Sequence, residues 1–364
     1  MTVPIKHKAI RVLSFLLVLT MYFAAKAEES WTPPAPSELD MSWVQLTSGE
    51  WLKGDIIGMY EERLEFDSDK LGDLSLKWKD IKVIYGKGKF GVFTESQGIL
   101  VGQLVKDGNN TIVRTTKGDV SVQSGRVVSV APRGSKKLSQ WSYKASFGYT
   151  VKQGNSDEAE YNATANIKRR SANTRGIFDY IGYVSTKEDE QSANNHRLTG
   201  TYDRYLTRAF FFRPVQLEIF KDKFQNIDYR ATYGVGAGYT IIDDDVTEWD
   251  VAATLGYQTT QFNSVEEGKQ DSEDTPAFTF STHYDRELTD DLDWETSYSV
   301  TFVNEASGRY THHFVSTLSA ELTKYLDLDL SFVWDRIDKP QPDQDGELPD
   351  SDDYRMVVGV GVDY

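Results

Sequence analysis

The chain has 364 residues, 13% of them aromatic, with no cysteine and a formal net charge of −16. So acidic a chain would be repelled by nucleic-acid phosphates. It is too aromatic for a disordered acidic protein, and without cysteine it has neither disulfides nor thiolate chemistry.

Lys6, Lys8 and Arg11 lead into an apolar run from Val12 to Phe23, followed by Ala25-Lys26-Ala27 in A-x-A form. That is the layout of a cleaved export signal over residues 1–27, because a spanning helix needs about 20 apolar residues. The mature chain would then begin at Glu28 and be more acidic still. Residues 28–39 form a linker stiffened by Trp31-Thr32-Pro33-Pro34-Ala35-Pro36.

Residues 40–132 read as a small periplasmic all-β domain of two SH3-like modules. Its basis is an internal duplication. Lys53-Gly54-Asp55-Ile56 matches Val101-Gly102-Gln103-Leu104, Leu64-Glu65-Phe66 matches Ile112-Val113-Arg114, and Leu76 and Ile81 match Val122 and Val127. Turn residues such as Asp107-Gly108-Asn109-Asn110 separate short strands. Such a domain is a candidate docking module for an envelope partner.

After the basic junction Arg133-Gly134-Ser135-Lys136-Lys137, residues 140–364 change texture. Long stretches alternate apolar and polar, the period of a pleated strand. Twelve strands are predicted, at about 140–151, 159–170, 174–186, 196–206, 210–221, 229–241, 248–262, 276–288, 291–303, 310–322, 326–336 and 354–364. The last places Tyr354, Met356, Val358, Val360, Val362 and Tyr364 on one face, against Arg355, Val357, Gly359, Gly361 and Asp363 on the other. An apolar wall bounded by aromatics and backed by small or polar groups suits a strand between lipid and a wet lumen, with Tyr364 as the terminal aromatic.

Connections after even-numbered strands are predicted to be short, and those after odd-numbered strands mostly longer, at 263–275 and 337–353 above all. Alternating loop length and an even strand count predict an outer-membrane barrel with both termini in the periplasm. A soluble β-sandwich would need shorter strands and more frequent turns. The fold class expected is all-β: a twelve-stranded antiparallel transmembrane β-barrel after a small two-module domain. Its partners would be outer-membrane lipid and the barrel assembly machinery, with no nucleic acid and no cofactor.

Two stretches carry a family resemblance. Gly154-Asn155-Ser156-Asp157 with Lys168-Arg169-Arg170 lies at one end. Phe332-Val333-Trp334-Asp335-Arg336-Ile337-Asp338-Lys339-Pro340, Ser351-Asp352-Asp353-Tyr354-Arg355 and the closing Gly359–Tyr364 lie at the other. Residues 141–364 thereby resemble an uncharacterised family of salt-induced outer-membrane proteins. The resemblance implies an outer-membrane barrel and no settled activity.

Three kinds of functional residue are candidates. Inward positions carry both signs of charge: Lys168, Arg170, Arg175, Arg197 and Arg230 with Asp179, Asp203, Asp250, Glu295 and Asp335. In a barrel narrower than a porin, such charges could pair across the lumen and close it. The acidic long loops could bridge Ca²⁺ or Mg²⁺ to anionic lipid. Within them Asp343, Asp345 and Glu347 resemble half of a calcium loop but lack its distal glutamate. His283, His312 and His313 lack the serine spacing of a barrel hydrolase, so the protein reads as a non-enzyme. The leading function is passive, namely envelope integrity or small-solute and ion passage under salt stress. The alternative is a structural or interaction role through residues 40–132, and a remote one is a surface hydrolase.

Overall fold

A computed structural model of the chain describes residues 40–133, 140–152, 157–323 and 325–363. The signal and linker expectations, Gly154-Asn155-Ser156 and Tyr364 lie outside these residues. Among the described residues no helix is long and apolar enough to cross a membrane.

Residues 40–133, where the sequence suggests a duplication, form ten short strands: β1 (Ser42–Leu46), β2 (Trp51–Tyr60), β3 (Arg63–Ser68), β4 (Gly72–Lys77), β5 (Ile81–Tyr85), β6 (Lys89–Thr94), β7 (Gly98–Asp107), β8 (Asn110–Thr115), β9 (Gly118–Gln123) and β10 (Val127–Arg133). The two copies do not stand apart. β5 of the first pairs with β7 of the second, and β10 of the second pairs with β2 of the first. The result is a closed ring β1-β5-β7-β6-β10-β2, with β3–β4 and β8–β9 hanging from β2 and β7. Val44, Met59, Leu64 and Ile84 share one fully buried core with Val92, Leu104, Val113 and Val130. A module of such length encloses too little apolar surface alone, so fusing two is the physical solution. The repeated glycine has a cause as well. A Cβ would lie 2.0 Å from the Asp67 carbonyl oxygen at Gly54, and 2.3 Å from that of Arg114 at Gly102.

The expected barrel follows. Its strands are β11 (Trp141–Lys152), β12 (Glu158–Arg170), β13 (Thr174–Lys187), β14 (Glu190–Tyr205), β15 (Phe210–Asp222), β16 (Ile227–Asp243), β17 (Thr247–Phe262), β18 (Ser272–Thr289), β19 (Leu292–Phe302), β20 (Tyr310–Thr323), β21 (Leu326–Ile337) and β22 (Asp352–Asp363). Each pairs antiparallel with its sequence neighbours, and β22 returns to β11. Among the described residues the closing seam has four registered pairs, Lys144↔Asp363 to Phe147↔Val360, whereas β11 is paired with β12 along its whole length.

Alternation sorts the side chains. On β22, Met356 is 63% exposed outside while Val357 is 4% exposed inside. Two departures from the simple pattern have local causes. β14 begins at Glu190 rather than near 196, because Glu188 and Asp189 take φ of 51° and 65° and close a two-residue hairpin. That connection is therefore as short as those at the opposite end; the long loops are 263–271, 303–309 and 338–351. On β15 the register shifts between Arg213 and Gln216, at Pro214, which has no N–H to give the ladder. Arg213 faces inward before the bulge, and Phe220 does so after it.

Candidate functional site in the barrel lumen

Lumen-facing charges gather into two clusters. At the short-turn end, Arg175 is 3% exposed and its Nη2 lies 2.5 Å from Asp250 and 3.3 Å from Asp203. Its Nη1 donates to Glu248. Asp203 also takes Arg213, at 2.7 and 3.0 Å, and Asp250 accepts from Thr240 at 2.5 Å. Arg170 reaches Glu248 at 2.7 Å from its Nη2, and Lys168 stands 3.8 Å from the same carboxylate. Tyr205 and Phe211 pack on the Arg175 guanidinium at 5.5 and 5.7 Å. Charges so far from water persist only because each meets an opposite charge and further donors.

The small domain completes this cluster. The tip of its β2–β3 hairpin, Tyr60-Glu61-Glu62-Arg63, enters the mouth of the barrel. Glu61 accepts from Arg170 Nη1, beside the ring of Tyr60, which lies 5.5 Å from the same guanidinium. Burial pushes the Glu61 carboxyl above its ordinary range against the pull of Arg170, and pushes the Tyr60 phenol up to about 12. Around the tip, Glu62 pairs with Arg208 at 3.0 Å and Arg63 with Glu287 at 3.2 Å. Arg63 Nε also donates to the Asp245 carbonyl at 2.6 Å. Lys77 holds the Asp245 side chain at 2.5 Å, which keeps that carboxyl below its ordinary value. Between hairpin and barrel lies a cavity of about 50 Å³, lined by Tyr60, Phe93, Arg170, Tyr205, Arg208 and Asp243 among others.

The second cluster lies toward the long loops. Arg197 is 4% exposed and pairs with Glu218 at 2.6 Å and with Asp335 at 2.7 Å. Asp335 also takes His313 at 2.7 Å and the guanidinium of Arg355. Above it, Asn226 Nδ2 donates to the carbonyls of Ser264, Gln341 and Pro342, tying the long 338–351 loop across its neighbours.

The remaining candidates are dispersed. Asp179 and Glu295 keep access to water; Asp179 accepts from Asn166 at 2.5 Å, and Glu295 stands 3.8 Å from His283. Lys144 is held by Asp327 and Asp329 at 3.0 and 3.2 Å. His312 bonds the Tyr298 hydroxyl at 2.9 Å. The half calcium loop does not converge: Asp343 Oδ1 accepts the backbone N–H of Asp345 and Glu347, which folds its own turn. Among the described residues no group of three or more His, Cys, Asp or Glu has metal-holding geometry.

Sequence reading missed Glu61, Glu218, Glu248 and Phe220. Glu248 was accessible, one residue before the outward Trp249 on the same alternating strand. Glu218 and Phe220 were hidden by the phase break at Pro214. Glu61 carries no local signal, since its partner lies 109 residues away.

Comparison with solved structures returns outer-membrane proteins at low identity and low TM-score. The NanC porin is 9% identical at a TM-score of 0.36, over 61% of this chain and 98% of that one. The outer membrane channel DcaP of Acinetobacter baumannii is 11% identical at 0.27, over 89% and 93%. A FadL homologue of Pseudomonas aeruginosa is 9% identical at 0.25, over 92% and 91%. No curated protein matches the sequence. A family model does match residues 145–364, nearly the whole barrel, and the chain belongs to that family, described as a protein of unknown function, DUF481.

Proposed function

We propose that this protein is an outer-membrane barrel whose passage is held shut from the periplasmic side by its own small domain, serving envelope integrity and restricted movement of small solutes or ions. The insertion of Glu61 into the Arg170–Glu248 pair carries this reading. A domain that merely hung below the barrel would have no reason to place a carboxylate among its buried charges. Outward apolar side chains such as Leu255, 68% exposed, supply the lipid-facing band.

The other bridging pairs, Arg63–Glu287, Lys77–Asp245 and Arg208–Glu62, are partly exposed and so are screened by salt. Rising ionic strength would loosen the hairpin, which fits passage that responds to ionic stress. The test is conductance of the full-length mature chain in planar bilayers. Low conductance at 0.1 M salt, where the Debye length is about 10 Å, with rising open probability at higher salt supports the reading. A barrel silent under every ionic condition rules out passage and leaves a structural role.

A further inference from the structure

We propose that Arg230 is the core of a small-anion site inside the lumen, occupied by a halide-type ion or by the carboxylate of a small solute. Arg230 is 2% exposed, yet its Nε and Nη1 meet no acceptor among the described residues. Its nearest carboxylate, Glu218, stands 3.7 Å from Nη2, beyond hydrogen-bond distance. A guanidinium offers five donors and cannot shed its charge, so burial in this state is costly.

The neighbouring acceptors are already committed. Glu218 gives its other oxygen to Arg197 at 2.6 Å. Asp335 is shared by Arg197, His313 and Arg355. Asp222 takes Asn195 at 2.6 Å and the backbone N–H of Phe224 and Gln225. Phe220 stands opposite Arg197 on one side and Arg230 on the other in the strand register, with the two guanidiniums 4.2 and 4.7 Å from its ring. The ring fixes both cations in place, but Arg197 has carboxylates at 2.6 and 2.7 Å while Arg230 has only the Glu218 carboxylate at 3.7 Å. Among the described residues Arg170, Arg175, Arg197 and Arg355 each leave only Nε without an acceptor, whereas Arg230 leaves both Nε and Nη1, a pre-positioned pair of donors of the kind that recognises an anion.

The inference does not depend on the β2–β3 hairpin acting as a stopper. Thermal unfolding of the full chain in detergent micelles would be followed at constant ionic strength in sodium chloride, sodium acetate and sodium gluconate, the last too bulky for a packed lumen. A saturable rise in Tm with chloride or acetate over gluconate is expected, and the better of the two names the source. Arg230→Gln should abolish the difference. Glu218→Gln, which removes a competing negative charge, should tighten the anion by about tenfold or more. Those opposite signs would not arise from loss of packing alone. Equal Tm in all three salts, or an anion effect that survives Arg230→Gln, overturns the site. Should Arg230→Gln fail to fold, crystals of the wild-type chain soaked in bromide decide the matter. An anomalous peak in contact with Arg230 Nη1 supports the site, and water there instead refutes it.

Discussion

The small domain contains its own control experiment. Two hairpins with two-residue turns, β2–β3 and β7–β8, occupy matching places in its two halves. The second turns through Gly108-Asn109, with Gly108 at φ 52°, a residue type suited to that backbone. The first turns through Glu61-Glu62, at φ of 50° and 57°, where a side chain costs about 1–2 kcal/mol per residue. Among the described residues, only the first meets the barrel, through Arg170 and Arg208. The strained, charged turn is therefore retained by what it touches, and its relaxed sibling shows what the fold alone would choose.

The largest effect should come from the lumen side of that contact. Arg175→Met strips the shared cation from Glu248, Asp250 and Asp203, and breaking such a buried network costs about 3–5 kcal/mol. The loss should appear as a lower heat-modification temperature of the folded barrel on gels.

Next in size is a contrast between the hairpins. Glu61→Lys faces Arg170 with a like charge and should raise conductance severalfold, while Asn109→Lys, at the hairpin away from the barrel, should leave it at the wild-type level. Equal responses would mean that the first hairpin has no special role at the mouth.

A gentler change sharpens the same point. Replacing Glu61-Glu62 by Asn-Gly gives the first hairpin ordinary turn chemistry. It should slow amide exchange across β2 and β3, a gain of about 1 kcal/mol, yet loosen the mouth. Stability and closure would move in opposite directions.

The smallest effect is on pH. Glu61 is raised above its ordinary 4.5 by burial, so the docked hairpin binds a proton more readily than a freed one. Its contribution to docking therefore grows as pH falls from neutrality toward that ordinary value, and is lost as pH rises through the raised one. Asp245 runs the other way: its contribution is present above the ordinary aspartate value and fades as pH falls through the lowered one. Glu61→Gln should remove the first trend and leave the second, read as cysteine-free crosslinking yield between small domain and barrel from pH 4 to 8.

The barrel was legible because lipid imposes one rule on every second residue. β22 could be phased by eye from Tyr354 to Val362, and β16 from its tyrosines. The onset of β14 was not, because Glu190-Gln191-Ser192 is polar on both faces. Inward charges could be listed from the same alternation. Their partners could not, since a salt bridge across a lumen joins strands whose separation along the chain says nothing about reach. Arg197 and Asp335 are 138 residues apart, and only closure of the cylinder brings them together.

That cylinder has one joint unlike the rest. Among the described residues, β11 and β22 share four registered pairs, against twelve between β11 and β12. Under heat or pulling force the first and last staves should part before any others, with the C-terminal strand peeling away while its bond to β21 still holds. The lifetime of the whole vessel is then set by its shortest weld, and cross-linking that one joint would slow rupture more than strengthening any wall.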